Sequence, residues 1–109
     1  MKQTYTRRLV DAHGTDLAAF CGRWRIRELC VFGSAARGEL RPNSDVDFMA
    51  DYEPSAEWDL ADHVHMTREL AGIVGRKVDL VDRPAVERSP NRFLREAILT
   101  SAERVYATR

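Results

Sequence analysis

The apolar positions follow two rhythms. Leu29, Cys30, Val31 and Phe32 close a segment that begins at Arg27 and Glu28, and Gly33 stops it. An unbroken apolar run of this kind predicts a strand covered on both faces. From 45 to 52 the residues alternate, with Val46, Phe48 and Ala50 on one face and Asp45, Asp47, Met49 and Asp51 on the other. The first face is expected to pack on helices, and the carboxylate face to stand open to solvent or ligand. Lys77, Val78, Asp79, Leu80 and Val81 read as a third strand, and Val105, Tyr106 and Ala107 as a short closing one.

Helical spacing fills the intervals. Leu17, Phe20, Cys21 and Trp24 predict a helix over 16–24 with Thr15 as its N-cap, and Leu9, Val10 and Ala12 a short helix before it that Gly14 ends. Ser55 is expected to cap a helix over 56–73 closed by Gly75, with Leu60, Ala61, Val64, Ala71 and Val74 as its apolar stripe and Met66, Leu70 and Ile73 widening it. Asp82, Arg83 and Pro84 end the third strand, and 84–88 has room for one helical turn. Ser89 and Pro90 form a helix start, and that helix runs to about 102 with Phe93, Leu94, Ala97 and Ile98 facing the core. The order α-β-β-α-β-α, with a final β, implies an α+β (mixed α/β) fold: one small mixed sheet backed by helices.

Composition narrows the class. A chain of 109 residues suits one domain over 1–109, with no repeat or linker to divide it. Seventeen basic residues balance seventeen acidic ones, which gives no support to direct nucleic-acid binding. No apolar run reaches the length of a membrane span and the N-terminus lacks a signal-peptide core, so the expected location is the cytoplasm. Cys21 and Cys30 have no metal-ligand spacing and are expected to be buried thiols, not a disulfide.

The chemistry concentrates in Gly33, Ser34, Ala35, Ala36, Arg37 and Gly38, followed by Ser44, Asp45, Val46, Asp47 and Phe48. Asp45 and Asp47 project from one face of a strand and repel each other unless a cation lies between them. Hard divalent ions such as Mg²⁺ take oxygen ligands and keep positions open for phosphate oxygens. Asp79 is the best candidate for a third acid, because a mid-strand carboxylate between Val78 and Leu80 has little structural reason to be there. Gly33 lets the backbone approach a ligand, Ser34 adds a hydroxyl, and a helical turn starting at Ala35 offers amides to anions. The glycine pattern is neither that of a P-loop nor that of a dinucleotide fold.

Gly33 and Ser34, ten residues, then Asp45-Val46-Asp47 form the pattern G-S-x10-D-x-D. This resembles the signature of the nucleotidyltransferase superfamily that includes DNA polymerase beta. The fuller run to Glu39, with Ser44 to Phe48, resembles its minimal nucleotidyltransferase branch, and Asp79 matches the position of that family's third acid. The resemblance covers 28–82 well and extends loosely to the last helix and strand. It implies that Gly33, Ser34 and Arg37 belong to the nucleotide-binding turn, with Ser34 and the Gly33 backbone on the β- and γ-phosphates. Asp45 and Asp47 hold Mg²⁺ on the triphosphate, and Asp79 serves a second Mg²⁺ and helps deprotonate the acceptor. The implied reaction transfers a nucleoside monophosphate, AMP from ATP, and releases pyrophosphate. Minimal members of the family pair with a helical HEPN-type ribonuclease toxin and act as its antitoxin by AMPylating it, so that partner, in a homo- or hetero-oligomer, is the implied acceptor.

Each residue also has a plainer reading. Asp51 extends the acidic face beyond the motif as solvated surface. Asp82 rivals Asp79 but suits a cap before Pro84. Arg37 either meets phosphate or pairs with Glu39. Ser44 caps a turn. His13, His63 and His65 lack ligand spacing, and Trp24 and Trp58 suit helical core or rim positions. Arg7, Arg8, Arg23, Arg25 and Arg27 are solvated, with the last three available to a partner. Two other functions stay open on these residues: a small-molecule, aminoglycoside-type nucleotidyltransferase, and an antitoxin that acts by binding alone.

Overall fold

The computed structural model describes residues 4–108. Its four strands are β1 (Ile26–Phe32), β2 (Val46–Tyr52), β3 (Val78–Asp82) and β4 (Glu103–Ala107). They form one sheet in the order β3-β2-β1-β4. β1 runs antiparallel to both β2 and β4, whereas β2 and β3 are parallel. The sheet is therefore mixed. The helices are α1 (Tyr5–Arg23), α2 (Gly33–Ala36), α3 (Leu60–Val74), α4 (Arg83–Glu87) and α5 (Arg92–Ser101).

Alternation along the strands builds a core on each face. On one, Leu29, Val31, Val46, Phe48, Ala50, Val78 and Leu80 meet Leu9, Leu17 and Phe20 of α1 and Met66 and Leu70 of α3. Each large side chain buried there contributes about 1.5–3 kcal/mol. On the other, Cys30, Phe32 and Met49 meet Val86 of α4, with Val81, Ile98, Leu99 and Ala102 alongside. The carboxylate face of β2 is thus covered in its middle: Met49 is buried, while Asp47 and Asp51 on either side of it are half-buried. Both cysteines are buried and free.

Local signals misplaced several boundaries. α1 is continuous through Gly14 and Thr15, and Thr4, not Thr15, caps it by accepting from the Arg7 N–H at 3.1 Å. A mid-helix glycine costs only about 1 kcal/mol against alanine, and burying Leu9 and Leu17 on the same core exceeds that. α3 begins at Leu60, because Asp59 and Asp62 form a reciprocal capping box that Ser55 does not. Its buried residues are Met66 and Leu70, while Leu60 and Val64 are exposed. Gly75 closes it in the left-handed conformation (φ 72°). Asn91, not Ser89, caps α5 by accepting from the Leu94 N–H at 3.1 Å.

α5 departs furthest from expectation. Phe93, Leu94 and Ala97 do not face the core. Ile98 does pack against the core as expected, and Leu99, not anticipated, joins it. Trp58 lies in the loop before α3, not within a helix, and its ring meets Trp24 edge-on at 5.3 Å. Arg23, Arg25 and Arg27 are each engaged, with Glu69, Glu53 and Asp51.

Candidate active site

Strand register assembles the acids. Asp47 of β2 lies beside Asp79 of β3 in the parallel pair, and beside Phe32 of β1 in the antiparallel pair. Neighbouring strands are about 4.8 Å apart, so Asp47 and Asp79 are nearest neighbours across the sheet. Phe32 leads directly into Gly33, which brings the glycine turn against Asp47. A Cβ on Gly33 would stand 2.7 Å from Asp47 Oδ2, and the residue's φ of 69° lies in the left-handed region. Steric room and backbone conformation both demand glycine there.

Asp45 sits in the segment entering β2, and a set of hydrogen bonds fixes that segment. The Val46 N–H donates to Lys77 O at 3.0 Å. Arg76 Nη1 donates to Arg41 O and Ser44 O, both at 2.9 Å. The Arg41 N–H donates to Ser44 Oγ at 3.1 Å, so Ser44 closes a turn. Arg76 carries no sequence signal for this role, since its neighbours Gly75 and Lys77 mark only a helix end and a strand start.

The electrostatics follow from the crowding. Burial first, then repulsion from Asp79 and Asp45, holds the Asp47 carboxyl above its ordinary value of 3.8, and the Arg37 guanidinium opposes the shift. Arg37 also pairs with Glu39 at 3.1 Å, both side chains well exposed. Arg37 therefore makes the plainer contact while its charge still reaches Asp47. Among the described residues no three or more His, Cys, Asp or Glu side chains converge as a ready-made metal cage. Asp47 nevertheless fits a divalent cation, which would relieve the repulsion that raises its pKa. Mg²⁺ commonly takes one or two carboxylates and completes its shell with substrate phosphates and waters.

Ser101, at the end of α5, was not legible as part of this region. Its Oγ accepts from the Gly33 N–H at 3.2 Å and donates to Ile98 O at 3.2 Å. The last residue of α5 thus holds the glycine turn from outside the motif. Asp82, the rival acid, stands at the head of α4 without a side-chain cap bond. Its carboxyl is raised by burial, and Arg88 opposes this. The three histidines lie on α1 and α3, whose core packs on the opposite face of the sheet.

Known proteins share this fold. The family model of the nucleotidyltransferase domain matches residues 17–106. Protein adenylyltransferase MntA of Thermococcus cleftensis is 33% identical over 79 residues, covering 72% of this chain and 75% of that protein. Among solved structures, a toxin–antitoxin with AMP-PNP superposes with a TM-score of 0.66 at 22% identity, over 87% of this chain and 73% of that one. A tri-AMPylated HEPN toxin of Shewanella oneidensis in complex with an MNT antitoxin gives 0.60 at 18% identity, over 90% and 72%. At such identities the superpositions establish the fold.

Proposed function

The chain belongs to the nucleotidyltransferase family, and on that premise we propose that it transfers AMP from ATP to a hydroxyl of a partner protein, a helical HEPN-type toxin, and so acts as that toxin's antitoxin. One observation carries the reading: Asp47 and Asp79 lie in register beside a glycine turn that leaves room for nothing larger than hydrogen at Gly33. The adenylyltransferase name of the Thermococcus relative and the AMPylated toxin complex support the acceptor class. We take the chain to work as a single minimal domain in the cytoplasm. Among the described residues no helix is long and apolar enough to cross a membrane.

Each residue has a task in this account. Ser34 donates its hydroxyl to the β- and γ-phosphates, and Gly33 lets the turn approach them. Arg37 adds positive charge at the same end. Asp45, Asp47 and Asp79 would hold two Mg²⁺ ions, which when bound neutralise phosphate charge and favour the ionised acceptor. Asp79, exposed at the rim, takes the acceptor's proton. The acceptor oxygen then attacks the α-phosphorus, a new oxygen–phosphorus bond forms, and the bond to the bridging oxygen breaks. Pyrophosphate leaves with the electron pair.

Incubating the purified chain with Mg²⁺, ATP labelled at the α-phosphate and its helical partner tests this. Label is expected on the partner. Label on an aminoglycoside with none on protein would replace the reading with the small-molecule one. Full neutralisation of the toxin by an Asp45→Asn, Asp47→Asn variant would replace it with binding alone.

A further inference from the structure

α5 has the most pronounced apolar and polar faces of the three long helices, yet none of its residues is fully buried. Phe93 is 84% exposed and Leu94 51% exposed, although both belong to the face its sequence would turn inward. Beside them runs a groove of about 240 Å³ between α4 and α5, walled chiefly by Val81, Ala85, Val86, Leu94 and Ile98. Scattered exposed apolar residues need no explanation, but an apolar groove that one of them, Leu94, helps to wall does.

Position says what the groove is for. Val81 follows Asp79 by two residues on β3, so both project from one face, about 7 Å apart along the strand. The groove therefore opens beside the acid assigned to the acceptor's proton. At its other end α5 reaches the glycine turn through Ser101. Volume and lining decide between classes of acceptor. Small-molecule sites commonly occupy about 300–1,000 Å³ and carry polar groups that orient the ligand. This groove is smaller, and its accessible wall is mostly hydrocarbon, with Asp82, Ser89 and Arg95 as its polar members. That suits one apolar side chain of a polypeptide and not an amino sugar.

We propose that the α4–α5 groove, with Leu94 in its wall and the exposed Phe93 next to it in sequence, is where the acceptor protein docks an apolar side chain flanking the hydroxyl to be modified. The inference rests on the proposed transfer to a protein and adds the surface that presents the substrate. Apolar anchoring in a groove with aromatic flanks is a common way for a short segment to gain affinity.

The test is steady-state AMP transfer to the helical partner by wild type, Phe93→Asp and Leu94→Arg. Both positions are exposed, so the variants are expected to melt where wild type does. The docking surface predicts that KM for the protein acceptor rises at least about tenfold while KM for ATP stays put. Unchanged acceptor KM in both variants overturns the inference and leaves the function standing. No transfer by folded wild type overturns the function and the inference with it. Sedimentation of the chain alone adds a further check: a dimer that these substitutions dissolve means a second copy fills the groove, and overturns it as well.

Discussion

At the scale of residues, Asp47 is in tension with its surroundings. The fold holds its carboxyl partly buried beside two other acids, which favours the protonated form. Between the ordinary value of 3.8 and the raised one, the native state binds more protons than the unfolded state. Stability of the metal-free protein therefore falls as pH rises through that window, then levels off. Asp47→Asn removes the charge and keeps the shape. In chelator at neutral pH it is expected to raise stability by up to about 1 kcal/mol, a modest gain because water screens a partly exposed group. The gain should disappear below the ordinary aspartate range, where wild type is also neutral. The same variant should lose AMP transfer by about 100-fold or more, as expected when a group that stabilises developing charge is removed. Thermal melts across pH, with transfer assays beside them, check both halves. A variant less stable than wild type at neutral pH would contradict the crowding.

At the scale of elements, the glycine turn is held by Ser101 of α5, 68 residues away in sequence. Ser101→Ala takes from the Gly33 N–H its 3.2 Å acceptor. A lost hydrogen bond of this kind costs about 0.5–1.5 kcal/mol. Amide exchange at Gly33 should quicken, KM for ATP should rise several-fold, and Ser101→Thr should restore both. Unaltered exchange would mean the bond does not hold the turn. This contact also marks the limit of what the sequence revealed. The turn, the two strands flanking it and the strand positions of Asp47 and Asp79 were readable because each depends on local pattern: an apolar run broken by glycine, and alternation. Ser101 and Arg76 depend on distant partners. The caps failed for a related reason. Ser55 and Ser89 are good caps in isolation, but Asp59 with Asp62, and Asn91, offer stronger local bonding a few residues later. Phe93 and Leu94 misled most, because helical periodicity shows which residues share a face, not whether anything covers it.

At the scale of the whole molecule, the sheet divides the labour. The α1–α3 face carries the larger core, and the α4–α5 face carries a smaller one and leaves the acids at its edge. The five arginines expected to be solvated do not form a free basic surface. Arg7, Arg23, Arg25 and Arg27 pair with carboxylates, and Arg8 lies 6.0 Å over the Tyr5 ring. The proposed transfer to a protein assigns the acceptor to the open acid face and the groove beside it. Intact-mass spectrometry of the helical partner, co-expressed with this chain or with its Asp79→Asn variant, tests that claim most directly. The account predicts a partner heavier by one or more AMP groups with wild type and unmodified with the variant. A partner of unmodified mass beside folded, ATP-supplied wild type would contradict it.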